Sequence, residues 1–382
     1  MVTWELHKLD EIVKFYGGLT YHPENIQEDG TLVLRSSNIH NNQIVLKDTV
    51  HVSPEIVNTS NVNVNDIIVV VRNGSRKLIG KHARVLKAMP NTVIGAFMTG
   101  IRSQNSKFVN ALFDGDIFQR EIYKNLGATI NQITIKSFKE MEFYIPQNHE
   151  KQIIGNLISQ IDNLLALQQR KLKLLKAIKF YLLNQFLLNN NKWPKKKFGN
   201  LVNINRGLTY HPFDVVNSDG IRVLRSSNIK DSRISFNKDD VFVRTSIVKE
   251  KYQLKKNDIL VTAANGSSNL IGKHALMTKN IPNQVGGFMF SIETNEPYFI
   301  FACLESNWFK KLIHKSTTGG NGALGNLKGK DIKNAWIHIP EREIRERIGE
   351  LEKNIDNFID YNQKIVNKLI KFKQFLLQNM FI

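Results

Sequence analysis

The heptapeptide VLRSSNI stands at 33–39 and again at 223–229, and no single compact domain needs the same seven residues twice. The repeat runs through the whole chain. GLTYHP at 18–23 returns at 207–212, NDI at Asn65 returns at Asn257, LIGKHA at Leu78 returns at Leu270, and Trp4 matches Trp193. Ile-Pro at Ile145 and Ile-Asp at Ile161 return at Ile339 and Ile355. The offset drifts only from 189 to 194, as a duplication with small loop insertions leaves it. The order is therefore A-B-A′-B′, with A units at 1–149 and 191–340 and B units at 150–190 and 341–382. A chain of 382 residues gives each half enough length for a core of its own.

Each A unit reads as mixed α and β. The β-branched runs DIIVVV and DILVT lie between the turn clusters RNGS and ANGS, and the amphipathic stretch FIFACLESNWFKKLI predicts a helix in the second copy. In the B units apolar residues recur in steps of three and four. The first carries Ile154, Leu157, Ile161, Leu165, Leu172, Leu175, Leu182 and Phe186; the second carries Ile344, Ile348, Leu351, Ile355, Ile359, Val366, Leu369, Leu376 and Met380. Sustained over about 40 residues, the pattern predicts an amphipathic helix about 60 Å long in each unit. Two such helices in one chain should pair, and the fold class expected is α+β.

Both helices carry a polar residue at the same repeat position, Gln168 and Asn362. In an antiparallel coiled coil the two would face each other and fix register; a small slip of phase would turn both to solvent instead. Antiparallel pairing puts the A units at opposite ends, related by a pseudo-two-fold axis. That is the symmetry of a dimeric reader of two DNA half-sites, with the coiled coil as its ruler.

The charge points the same way. Lys and Arg number 53 against 34 Asp and Glu, and the net charge of +19 draws a polyanion: DNA, RNA or an anionic membrane. A codon usage rich in Lys and Asn is the alternative source. Apolar runs such as 67–71 are far too short to span a bilayer, and the opening MVTWELHKLDE lacks the apolar stretch of a secretion signal, so a cytoplasmic protein is expected. A single cysteine, Cys303, leaves no internal disulfide and no thiolate metal cluster.

No catalytic residue and no metal site is expected. His22 and His82 and their repeat partners His211 and His274 have no carboxylate or cysteine at ligand spacing. The chain has no GxxxxGK[ST] element and no Asn/Asp-Pro-Pro-aromatic element for a flipped base. TTGGNGALGNLKGK around Gly319 is wrongly spaced for a phosphate cradle; it reads as a flexible loop, or as a phosphate contact through its amides and lysines.

Polar and basic residues beside turns are the candidates for DNA contact. RNGSRKLIGKH offers Arg72, Asn73, Ser75, Arg76, Lys77, Lys81 and His82; ANGSSNLIGKH offers Asn265, Ser267, Ser268, Asn269, Lys273 and His274. Arg matches guanine O6 and N7, Asn matches adenine N6 and N7, and Lys or Ser commonly holds phosphate. The two LRSSNI segments add Arg35, Ser36 and Asn38, and Arg225, Ser226 and Asn228, with Tyr21 and Tyr210 placed to pack on a sugar or base. For each the plain alternative is a solvated loop residue. The copies also differ: Arg72, Arg76 and Lys77 correspond to Ala264, Ser268 and Asn269, so one loop carries three cations where the other carries none.

In order, spacing and duplication the whole chain resembles the specificity subunit of type I restriction-modification systems. That family's domain-start pattern, Trp followed by Leu or Phe and an apolar pair, matches WELHKLDEIV and WPKKKFGNLV. Its Ile-Pro lead into a helix matches IPQNHEKQIIGNLISQID and IPEREIRERIGELEKNID. The resemblance implies two target-recognition domains, 1–149 and 191–340, each followed by a conserved helix, 150–190 and 341–382. Recognition domains within one such subunit are often unlike each other, whereas these share long stretches, which implies similar half-sites and a target close to an interrupted palindrome. It further implies a non-enzymatic subunit that binds double-stranded DNA and holds two modification subunits. Those partners bring S-adenosylmethionine and methylate adenine, restriction/translocase subunits can join them, and this chain needs no cofactor itself. The other function class the residues allow is a self-contained DNA-binding regulator or architectural protein with no methyltransferase partner.

Overall fold

Apolar runs without alternation become strands covered on both faces. In the computed structural model, which describes residues 4–126, 131–188, 193–217, 219–280, 283–286, 289–317 and 326–381, Ile67–Val70 and Ile259–Thr262 are buried at every position. Each lies inside a four-stranded antiparallel sheet, in the orders Lys14–Gly17, Met98–Arg102, Ile67–Val70, His82–Arg84 and Asn203–Arg206, Met289–Glu293, Ile259–Thr262, His274–Leu276. A second sheet is built around the start of each VLRSSNI. Thr31–Leu34 pairs parallel with Thr92–Ile94 and antiparallel with Val50–Val52, and Ile221–Leu224 does the same with Asn283–Val285 and Val241–Val243. The sheet orders repeat strand for strand, so the duplication seen in sequence is a duplication of fold.

The helix expected across FIFACLESNWFKKLI is two helices, Pro297–Glu305 and Asn307–Thr317. The chain turns extended at Ser306, whose fully buried hydroxyl donates to the Cys303 carbonyl at 2.7 Å. A hydroxyl that bonds its own backbone competes with helix continuation. The first copy breaks at Gly115, between Ser106–Asp114 and Asp116–Asn125. Cys303 lies in the middle of the buried helix, and burial pushes its thiol pKa up.

The B units form long helices, Asn148–Leu188 and Arg342–Met380. Contacts divide the chain into two compact units, 1–169 with 364–382 and 170–363, so each mixed α and β unit packs with part of both helices. In the first unit Ile154, Ile158 and Ile161 share a core with Leu377 and Phe381, and Asp162 meets Lys373. In the second, Leu183 and Leu187 share a core with Ile348, while Lys179 meets Asp356. Within each unit residue numbers fall on one helix as they rise on the other, so the pairing is antiparallel. No helix among the described residues is long and apolar enough to cross a membrane.

The expected seam mixes two stripes. Leu157, Phe186 and Ile344 are exposed, while Ile158, Lys179, Leu183, Leu187 and Glu352 take the buried positions. A straight helix drifts against a strict heptad, so over forty residues the contact face moves off the expected positions. Asn362 is buried and its Nδ2 donates to the Phe358 carbonyl at 2.7 Å; Gln168 is half-buried with its Oε1 covered. Neither polar seam residue turns to solvent.

Gly155 marks where the first long helix meets its domain. A Cβ there would lie 2.6 Å from the Phe108 amide nitrogen, whereas at the repeat-equivalent Gly349 the nearest atom is 3.2 Å away. Gly155→Ala is therefore expected to destabilise the protein by roughly 1–3 kcal/mol despite Ala's better helix propensity, and Gly349→Ala by clearly less. Thermal melts of the two variants check the ranking, and a Gly155→Ala protein at least as stable as the wild type would refute it.

Candidate nucleic-acid interface

The chain leaves Thr31–Leu34 through Arg35 into the short 3-10 turn Ser36–Asn38, and leaves Ile221–Leu224 through Arg225 into Ser226–Asn228. Both turns are held from inside. Asn38 accepts from the Arg35 amide at 2.9 Å and donates to the Val45 and Lys47 carbonyls. Asn228 accepts from the Arg225 amide and donates to the Ser235 carbonyl and the Asp240 carboxylate. Both asparagines are fully buried. Their expected role as DNA contacts is corrected: turning either buried carboxamide outward would break every bond that holds its turn.

Arg35 and Arg225 are half-buried, and each Nη2 donates to a backbone carbonyl of the loop that follows, Asp48 at 2.7 Å and Asp239 at 3.2 Å. Part of each guanidinium thus anchors its own loop. Tyr21 and Tyr210 are also half-buried, packed on small cores that contain Val33 and Val223.

The structure brings the two candidate segments of each domain together. Asn73 Nδ2 donates to Ser36 Oγ at 3.0 Å while its Oδ1 accepts from the Ser75 amide; Asn265 makes the same pair with Ser226 Oγ, at 2.8 Å, and the Ser267 amide. The asparagine of each Asn-Gly turn is thus a stitch between segments. Lys81 is half-buried and donates to the Ser36 carbonyl at 3.3 Å, and burial lowers its pKa. Its repeat partner Lys273 is half-buried too.

Around the first stitch the surface is cationic. Arg72, Ser75, Arg76 and Lys77 are exposed, the last two on the 3-10 turn Arg76–Leu78. The Arg72 guanidinium lies 4.9 Å over the ring of half-exposed Phe97, an arrangement that leaves its N–H edges free for a second partner. Around the second stitch Ser267 and Asn269 are exposed and neutral, and the side chain of Ser268 lies outside the described residues. Phe97 joins the candidate residues here, and the loop pattern did not reveal it. Its signal is the aromatic that follows the glycine in GAFM; the counterpart Phe288 lies outside the described residues, as does 318–325 of the glycine-rich segment.

His82 and His274 are corrected as well. Each is buried, with Nδ1 against a glycine carbonyl, Gly80 at 3.0 Å and Gly272 at 2.8 Å, and Nε2 against an acid, Asp114 at 3.0 Å and Glu305 at 3.3 Å. The preceding glycines adopt left-handed φ of 83° and 77°, which suits a sharp inward turn. A ring closed in on both nitrogens has no edge left for DNA.

The family model for the type I restriction modification DNA specificity domain matches residues 1–177 and 190–371. The specificity subunit of the Escherichia coli K12 type I restriction enzyme EcoKI is 24% identical, over 96% of this chain and 85% of that protein. The StySPI specificity subunit of Salmonella potsdam is 26% identical over 71% of this chain, and the match spans 63% of that relative's length. Among solved structures, the type I restriction-modification S subunit from M. genitalium superposes with a TM-score of 0.66 at 15% identity, covering all of this chain and 96% of that one. A chain from a structure of type I complex assembly and conformational transition gives 0.55 at 12% identity, covering 98% and 96%. Both structures are alike in fold.

Proposed function

The chain belongs to the type I restriction-modification DNA specificity family, and on that premise we propose that it reads a bipartite DNA site and scaffolds the adenine methyltransferase subunits that modify it. The observation that carries this reading is the match of both halves to one specificity domain, together with the stitched polar loops that each half presents. Recognition is assigned to those loops. Phosphate contacts from Lys and Arg supply affinity that depends on salt, and base-edge contacts supply the choice of sequence. Catalysis lies in partner chains that carry S-adenosylmethionine, and restriction/translocase subunits join the same assembly.

The partners dock on the long helices. In the first unit Leu164 and Leu167 of one helix and Phe372 and Phe375 of the other are exposed; in the second unit Leu174, Ile178 and Tyr181, and Phe358 and Tyr361, are exposed. Apolar side chains left uncovered at helical spacing fit the apolar stripes of partner helices.

Two measurements test the reading. A chain carrying Asn-Pro-Pro followed by Phe, Tyr or Trp is expected to co-purify with this protein. Sequencing of methylated adenines is expected to lose one bipartite motif when the gene is deleted. An unchanged methylome would refute the reading.

A further inference from the structure

In each unit both recognition segments converge on one acid that the loop motifs did not signal, its side chain enclosed in the first unit and part-buried in the second. In the first unit it is Asp114, the last residue of the helix Ser106–Asp114. Its Oδ1 accepts from Asn42, in the hairpin that follows the Ser36–Asn38 turn, and lies 3.0 Å from His82 Nε2. Its Oδ2 takes Lys373 Nζ at 2.7 Å, and the same ammonium reaches Asp162 at 2.5 Å. In the second unit the acid is Glu305, the last residue of Pro297–Glu305. It accepts from Ser232 at 2.5 Å, meets His274 at 3.3 Å, and lies 3.8 Å from Lys179, which reaches Asp356 at 2.6 Å.

The two arrangements correspond part by part. Asn42 and Ser232 occupy equivalent hairpins, His82 and His274 open equivalent strands, and Asp162 and Asp356 hold the same repeat position. The lysines also correspond, yet each comes from the opposite long helix: Lys373 from the second and Lys179 from the first. Each acid thus joins the hairpin after RSSN and the GKH loop to both helices of its own unit.

A chain of part-buried ion pairs and hydrogen bonds accepts a narrow range of geometry, where an apolar contact would tolerate sliding. The side chain of Asp114 is 3% exposed; burial opposes its charge, but the His82 and Lys373 partners outweigh burial and hold its pKa below the usual carboxylate range. For Lys373, burial is outweighed by Asp114 and Asp162 in the same way, which raises its pKa.

We propose that Asp114 and Glu305 are positioning residues that fix the angle at which each recognition face sits on its own pair of helix segments, and so set which spacer between half-sites the protein accepts. The proposal rests on the DNA-specificity reading above. A residue that merely supported the fold would, on removal, weaken binding to every DNA alike. A residue that sets the angle would change the preference among spacers and leave base choice within a half-site untouched.

The test uses the complex purified with its modification subunits. Binding is measured by fluorescence anisotropy to duplexes carrying the motif found in the methylome, with the native spacer and with one base pair removed or added. Asp114→Asn is expected to reduce the preference for the native spacer about tenfold, the size of one misplaced base contact, with base discrimination inside each half-site unchanged. Asp114→Glu, which supplies the acid used by the second copy, is expected to restore most of that preference. Should Asp114→Asn fail to fold, Lys373→Arg keeps the charge, alters the reach and must lower the spacer preference. A uniform loss across all three spacers, or an unchanged spacer ratio, overturns the proposal while the specificity reading stands. A wild-type complex that prefers no motif overturns the specificity reading and the proposal with it.

Discussion

Giving the first cationic loop the residues of the second, by Arg72→Ala, Arg76→Ser and Lys77→Asn together, is expected to damage recognition at one half-site and leave the other intact. The three cations are exposed and make no ion pair among the described residues, so removing them costs the fold little. Their shared location beside the Ser36–Asn73 stitch puts them on the surface assigned to DNA. Each cation that holds a phosphate contributes roughly 0.9 to the slope of log affinity against log salt, so the exchange should flatten that slope by up to about 2.7. If Arg76 instead reads a guanine, the variant loses about 1–3 kcal/mol of discrimination at that base alone. Affinity titrations over a salt series, on duplexes mutated in one half-site at a time, separate these contributions. Equal losses in both half-sites would sink the assignment.

Much of the fold was legible because repetition and hydrophobic pattern are local signals. Val33 and Leu34, and Val223 and Leu224, are buried strand residues, as their place in a doubled apolar segment implies. Asn38 and Asn228 misled because a polar side chain that satisfies buried backbone looks, in sequence, the same as one that reads a base. Only the burial of Asn38 and Asn228 within their turns separates the two roles. His82 and His274 were visible as matched histidines, yet their acids were not. Asp114 lies 32 residues further on, Glu305 lies 31 further on, and the residue type changes between copies. Lys179 and Lys373 were invisible for another reason: a lysine on an amphipathic helix is ordinarily assigned to the solvated face, and here each is enclosed by acids on other elements.

The second ionic cluster carries one acid more than the first, and this predicts a pH dependence of stability. Glu352 is fully buried at the position where the first copy has buried Ile158. Its carboxyl lies 2.6 Å from Lys179, but the same ammonium also serves Asp356 and Glu305, so three acids share it, and Arg233 draws on Asp356 from the other side. Burial pushes the Glu352 pKa up to about 7; Lys179 opposes the shift, and Asp356 and Glu305 add to it. The unfolded chain releases this proton near the ordinary value of 4.5. Between about pH 4.5 and 7 the folded protein therefore holds a proton that the unfolded chain has lost, and stability falls as pH rises through that window. The full cost, on the order of 3 kcal/mol, is present above it. Glu352→Gln keeps the shape, cannot ionise, and leaves Lys179 with Asp356 and Glu305. The variant should melt roughly 6–12 °C above the wild type at pH 8, and the gap should close near pH 4.5. Acids whose pKa values are lowered, such as Glu305, lose stability on the acid side in both proteins and cancel in the difference. A Glu352→Gln protein less stable than the wild type at pH 8 would mean that Glu352 is held charged and stabilising by Lys179, the opposite of the sign derived from its burial.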